Sequence, residues 1–384
     1  MPSTGLSTTR ARAGGDKSAP PLPLVINISL GTNGHAHDGS SPISHWIDAA
    51  LNVPGRCVVA AAGNAGQDAA RSRSDVGWMS GRIHSEGRIA ASGLEADIEW
   101  RVVGNGLVDL SENEMEIWYE PEDRFVVELR PPKGKWIGPV SPGRYYRDLE
   151  QKDGTFVSIF NERYHPANGA NRISLYLSPR LGECVVGVRA GTWTIRLRGD
   201  QVRNGRYHAW IERDDPRRLG RIGKREAWRF PSFFSKRSYI DKASVSSLAC
   251  GQRVVSVSNY EEAAERIHPS SSQGPTRDGR SKPEIAAPGT NIVAARGFAP
   301  SHEPWVSKTG TSMASPYVAG VIALMLGVER RLTAAQIIGI LRRTAQPLPG
   351  DEYNWQDDAG FGRIRPAKCL DEAARVFEEQ DLDQ

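Results

Sequence analysis

The chain has 384 residues, enough for two domains with full cores, and its 39% hydrophobic and 24% charged residues are those of an ordinary globular protein. A net charge of +4 is small for this length and argues against nucleic acid or an anionic membrane as an obligatory partner. No run approaches the ~18 apolar residues of a membrane span, and Cys57, Cys184, Cys250 and Cys369 lack the CxxC spacing of a zinc site or disulfide framework.

Residues 1–23 are rich in Ser, Thr, Gly and Arg and close on Pro20-Pro-Leu-Pro23, a composition expected to be disordered. No apolar signal-peptide core is visible there, so the default expectation is cytoplasmic, with an exported longer form left open. Leu24-Val-Ile-Asn-Ile-Ser-Leu30 is a continuous apolar strand suited to a parallel sheet covered on both faces. Residues 41–51 follow as a helix, with Ile43, Trp46, Ile47, Ala50 and Leu51 at helical spacing. The strand 57–62 completes a βαβ unit and ends at Gly63-Asn64.

From about Glu95 to Arg213 the period changes to two. Met115, Ile117 and Tyr119 form one face, as do Phe125, Val127 and Leu129, then Ile173, Leu175 and Leu177, then Trp193, Ile195 and Leu197. Asn204-Gly205 reads as a hairpin turn. Short alternating strands between turn signals predict a β-sandwich or jelly roll, and Trp100, Trp118 and Trp136 are read as packing residues before sugar-binding ones. The charged run 213–225 reads as a solvated linker; Asp214 and Asp215 dilute it as a nucleic-acid patch.

The strand 253–258 and the strand 291–295 lead to Lys308-Thr-Gly-Thr-Ser-Met-Ala-Ser-Pro-Tyr-Val-Ala-Gly320, a tight turn running into a helix over 313–326. That helix is apolar nearly all round and is expected to be buried. Pro316 is tolerable if it lies in the first turn. Ser312 then sits at the helix N-terminus, where free N–H groups favour negative charge. As a bare pattern this equally describes a serine N-cap. Residues 332–344 form an amphipathic helix ending in Arg342-Arg343.

Gly310-Thr-Ser-Met-Ala-Ser-Pro316 resembles the nucleophile motif of the subtilisin-like serine proteases. Val58-Val-Ala-Ala-Ala-Gly-Asn-Ala-Gly66 resembles that family's oxyanion-asparagine turn, and Pro283-Glu-Ile-Ala-Ala-Pro-Gly289 the loop before its serine segment. An all-β insertion after the asparagine is similar to the arrangement of the clostridial germination proteases. The resemblance implies a three-layer α/β domain with a parallel sheet, incomplete at its N-terminus and interrupted by an all-β sandwich. The expected division is 1–23 disordered, 24–94 first subtilase part, 95–213 sandwich, 214–232 linker and 233–384 second subtilase part. It further implies acyl transfer on peptide bonds, with Ser312 as nucleophile and Asn64 as oxyanion donor. Ser29, Leu30, Gly31, Thr32, Gly63 and Thr311 would bind substrate, Gly31 to Gly34 by backbone pairing. No cofactor and no metal are assigned.

The family's catalytic Asp and His motifs are not found. His35-Ala-His37-Asp38 admits three readings: a helix cap or subsite wall, which is preferred; a replacement base; or a metal site. The implied partners are a peptide or protein substrate and a complementing segment carrying Asp and His. The alternative is an inactive fragment acting as a binding module. A chain without the front strands is expected to expose a sheet edge and a helix face, and to associate.

Overall fold

Valine and alanine fill positions 58–61 and recur at 255 and 257, leaving little polar side chain to face water, and these runs form the middle of a parallel sheet. The computed structural model describes residues 22–72, 75–182, 184–212, 217–222, 225–298 and 302–377. Of the segment expected to be disordered, residues 1–21 lie outside them. The chain divides into two compact units, one comprising Met1–Gly31, Ser41–Asn64 and Val245–Gln384, the other Thr32–Ser40 and Ala65–Ser244.

In the first unit the strand Leu24–Ile28 pairs in parallel with Arg56–Ala61, which pairs in parallel with Val255–Glu261, which pairs in parallel with Ile285–Pro288. Cys57 and Val59 point to one face and Val58 and Ala60 to the other, as strand alternation requires. On the Val58 side Ile47 and Leu51, from helix α1 (Pro42–Ala50) and its C-cap, pack with Val245 and Ala249. On the Val59 side lies helix α2 (Thr311–Val328), contributing Ala314, Val318, Ile322 and Met325. Helices α3 (Ala334–Thr344) and α4 (Pro366–Arg375) complete that layer with Ile337, Leu341 and Cys369. Full burial of each large aliphatic side chain contributes about 1.5–3 kcal/mol, so this two-sided core is a principal stabilisation of the sheet. Thr333 begins α3 with a reciprocal capping box to Gln336, which satisfies two of its free N–H groups.

Two expectations about α2 are corrected. Its apolar circumference is not wholly buried: Tyr317, Leu324 and Val328 lie exposed on one face, beside the open positions Gly320 and Gly327. By length and composition α2 would also qualify as a membrane span, although its opposite face is core. Among the described residues the Leu24–Ile28 strand has a sheet neighbour on one side only.

The second unit is a two-sheet β-structure. One sheet runs in the order His84–Arg88, Arg206–Glu212, Asn113–Tyr119, Asn171–Ser178, Phe156–Glu162, Tyr145–Glu150; the other runs Phe233–Phe234, Glu95–Val102, Gly191–Gln201, Arg124–Arg130, Ile137–Val140. The four alternating faces read from the sequence all lie in its core. Trp100 is buried in that core and Trp118 on the opposite face of its strand, beside Ala170 and Trp210, which removes both as sugar platforms, while Arg130 and Arg196 stack over the half-buried Trp136.

Asn204-Gly205 is not a hairpin turn. The strands on either side of it belong to different sheets, so the segment is a crossover. The Asp123 carboxylate holds it, accepting from the N–H groups of Arg203, Asn204 and Gly205 at 2.6, 3.0 and 2.7 Å. The charged run after residue 213 is not a plain linker either: Arg217–Ile222 and Arg225–Arg229 pair antiparallel, while residues 213–216 and 223–224 lie outside the described ones.

Candidate active site

Ser312 is the second residue of α2, which begins at Thr311 and not at the expected Met313. Gly310 precedes the helix with φ 152°, and a Cβ there would come within 3.1 Å of the Asn64 amide nitrogen. Only glycine leaves that approach open. The backbone of Gly310 is tied down in turn, its N–H donating to Gly289 O at 2.9 Å, so the residue after the Ile285–Pro288 strand, a segment expected to be a loop, positions the helix entry.

Asn64 follows the Arg56–Ala61 strand. Its Oδ1 accepts two bonds from one residue, from the Thr311 N–H at 3.0 Å and the Thr311 hydroxyl at 3.1 Å. Thr311 Oγ1 also accepts from the Gly63 N–H at 3.1 Å. Gly63 itself has φ 113°, and a Cβ there would meet Ser272 Oγ at 2.6 Å. This closed set fixes which end of the Asn64 amide is the acceptor. Its NH2 group and the Ser312 N–H have no acceptor among the described residues. Two donors beside the positive end of an 18-residue helix are thus left uncommitted.

The Ser312 hydroxyl donates to Ser29 O at 3.4 Å, and the Ser29 hydroxyl donates to Ser312 O at 2.8 Å. Ser29 Oγ lies 3.1 Å from Ser315 Oγ as well. The reason is Pro316, which stands in the second turn of α2 and not in the first as expected. Lacking an N–H, it cannot bond the carbonyl four residues earlier, which is that of Ser312. Ser29 fills that acceptor. The sequence reading missed this link, and a proline six residues into a helix was the signal that some outside donor must exist.

The other residues expected at the site are distributed as follows. Leu30 is 74% exposed and Gly31 lies against Ser246, with no strand partner in the first unit for either. Thr32 falls in the second unit, where its hydroxyl donates to Glu212 at 2.6 Å. Among the described residues of the first unit no histidine is bonded to Ser312. His45 is exposed on α1, His302 is exposed, and the buried His268 pairs with Ser270 at 2.8 Å. His37 belongs to the second unit, buried, with Nε2 2.9 Å from Asn33 O and its ring stacked on Trp210 at 4.4 Å. Nor does the His35–Asp38 stretch cap α1. That cap is Ser41, whose hydroxyl accepts from the Ser44 N–H, while Asp38 takes Ser40 N–H and the Asn168 amide.

A parallel α/β sheet with a serine at the entry of its central helix and an asparagine amide locked beside it defines the subtilisin-like class. Residues 236–362 match the family model of the subtilase family, Peptidase_S8. The chain is similar to the minor extracellular protease Vpr of Bacillus subtilis, at 37% identity over 114 residues, 27% of this chain and 14% of that one. It is similar to the subtilisin-like protease SBT3 of Solanum lycopersicum, at 32% over 124 residues, 27% of this chain and 16% of the relative. Each match covers under a fifth of the relative's length. Among solved structures it matches the Clostridium perfringens CspB protease with a TM-score of 0.72 over 97% of this chain and 69% of that chain, at 21% identity. At that identity the likeness establishes the fold, including the all-β insertion.

Proposed function

We propose that this chain supplies the nucleophile and oxyanion part of a serine peptidase site. The observation that carries the reading is the locked Asn64 amide: with Oδ1 held twice by Thr311, its NH2 group is preorganised as a donor next to the uncommitted Ser312 N–H. In this reading Ser312 Oγ attacks a peptide carbonyl, the C–N bond breaks after a tetrahedral intermediate, and the two donors hold its oxyanion. One such donor contributes about 3–4 kcal/mol to the transition state, a range known from subtilisin itself. Within the first unit, Ser29, Leu30, Gly31, Gly63 and Thr311 are proposed to border the substrate.

The attacking hydroxyl must lose its proton, and the Ser29 carbonyl on which it rests is too weak a base to accept one. The proposal therefore includes a complementing segment that brings an imidazole and a carboxylate. The exposed apolar face of α2 and the one-sided Leu24–Ile28 strand supply surfaces of the type such a segment would cover.

A fluorophosphonate probe tests the nucleophile, with Ser312→Ala as control. Labelling that is weak for the chain alone, rises at least ~100-fold when a polypeptide with the family's Asp and His motifs is added, and vanishes in Ser312→Ala supports the proposal. A folded chain that stays unlabelled with that polypeptide present refutes it. The second reading, a non-catalytic binding module, is favoured by the seating of the Ser312 hydroxyl on a carbonyl.

A further inference from the structure

In the sandwich unit, the strands His84–Arg88 and Arg206–Glu212 run antiparallel with His208 opposite Glu86 and Trp210 opposite His84. His84 and Glu86 are two residues apart, so they project from the same face of their strand, and His208 joins them from across the ladder. His84 Nε2 lies 3.1 Å from His208 Nδ1, and His208 Nδ1 lies 3.5 Å from Glu86 Oε2. One ligand atom from each of the three falls within 4.8 Å of the others.

We propose that His84, Glu86 and His208 form a binding site for a divalent transition-metal ion of the zinc, nickel or copper type. Two nitrogens and one oxygen bonded to a tetrahedral metal at about 2.0–2.1 Å stand about 3.3 Å from one another, and the His84–His208 and His208–Glu86 separations of 3.1 and 3.5 Å are close to that. Two imidazoles with one carboxylate select such ions over calcium or magnesium, which take oxygen ligands. The fourth position is left for water or an outside ligand.

The surroundings suit a preformed ligand set: His84 is fully buried and its Nε2 faces His208 Nδ1 across the ladder. Trp210 stacks on His84 at 4.9 Å and on His208 at 5.5 Å, fixing both ring planes. Glu86 and His208 reach solvent, giving the ion a way in. The histidines are 124 residues apart in sequence, which is why spacing alone did not reveal the site.

Cobalt(II) titration of the purified chain, followed by its visible absorption, tests the proposal, with competition by zinc and with Cys184→Ser as background to remove the exposed thiol. The expected result is one equivalent bound with the intense bands of a tetrahedral site, displaced by zinc. Glu86→Gln is expected to weaken binding about 10-fold and His208→Asn about 100-fold or more. Both positions are partly exposed, so near-UV circular dichroism can confirm that each variant is folded. No binding by the folded chain overturns the proposal, as does binding of equal affinity in His208→Asn.

Discussion

Ser29 and Ser312 bond each other reciprocally, each hydroxyl donating to the other's backbone carbonyl, at 2.8 Å from Ser29 and 3.4 Å from Ser312. The stronger bond replaces the one Pro316 cannot make. Ser29→Ala is therefore expected to cost about 0.5–1.5 kcal/mol, the range for a typical hydrogen bond, because the bond is only part-buried. Pro316→Ala restores an N–H aimed at that same carbonyl, so the double variant should lose clearly less than Ser29→Ala does. Urea unfolding of the four proteins measures the coupling; strictly additive losses would show that the proline and the serine act independently.

The exposed face of α2 leads to a second expectation. Leu324 is 59% exposed, and Leu324→Glu should leave stability within about 0.5 kcal/mol while reducing self-association of the isolated chain. Sedimentation velocity reads this directly. A wild-type chain that is already monodisperse would remove the support this face lends to a complementing segment.

Cysteine reactivity offers a third check. Burial, with the Glu284 carboxylate nearby, pushes the Cys57 thiol up to about 12, and burial raises Cys369 as well. Because only the thiolate attacks, these groups should be silent near neutral pH. One thiol, the exposed Cys184, should react quickly with a disulfide reagent in the folded chain, and all four after unfolding. Cys184→Ser should abolish the fast phase; a fast phase that persists would place one of the other three at the surface.

In the sandwich, Asp123 is fully buried and holds three consecutive N–H groups of the 203–205 crossover. Asp123→Ala strands all three donors and is expected to cost about 3 kcal/mol or more, with Asp123→Asn falling between. Chemical denaturation measures both. An Asp123→Ala midpoint equal to wild type would mean that water replaces the carboxylate without loss.

The order of elements was legible because it rests on local rules. Continuous apolar runs such as 57–61 can only be strands buried on both faces, and alternation at 115–119 and 173–177 can only present one face to a core. The serine motif and the Gly63-Asn64 turn identified their class from a few adjacent residues, since the chemistry needs a hydroxyl at a helix entry and an amide beside it. What the sequence could not decide were relations between distant positions. Asn204-Gly205 has the composition of a hairpin turn, but the Asp123 carboxylate, 80 residues or more away, makes it a crossover. The hydroxyl of Ser29 has a structural task set by a proline 287 positions later, which no local pattern around Ser29 shows. His84 and His208 are unremarkable singly and meet because their strands pair. Local propensity acts over a turn or a strand; only the closed sheets and the packed helix bring such partners within hydrogen-bond reach.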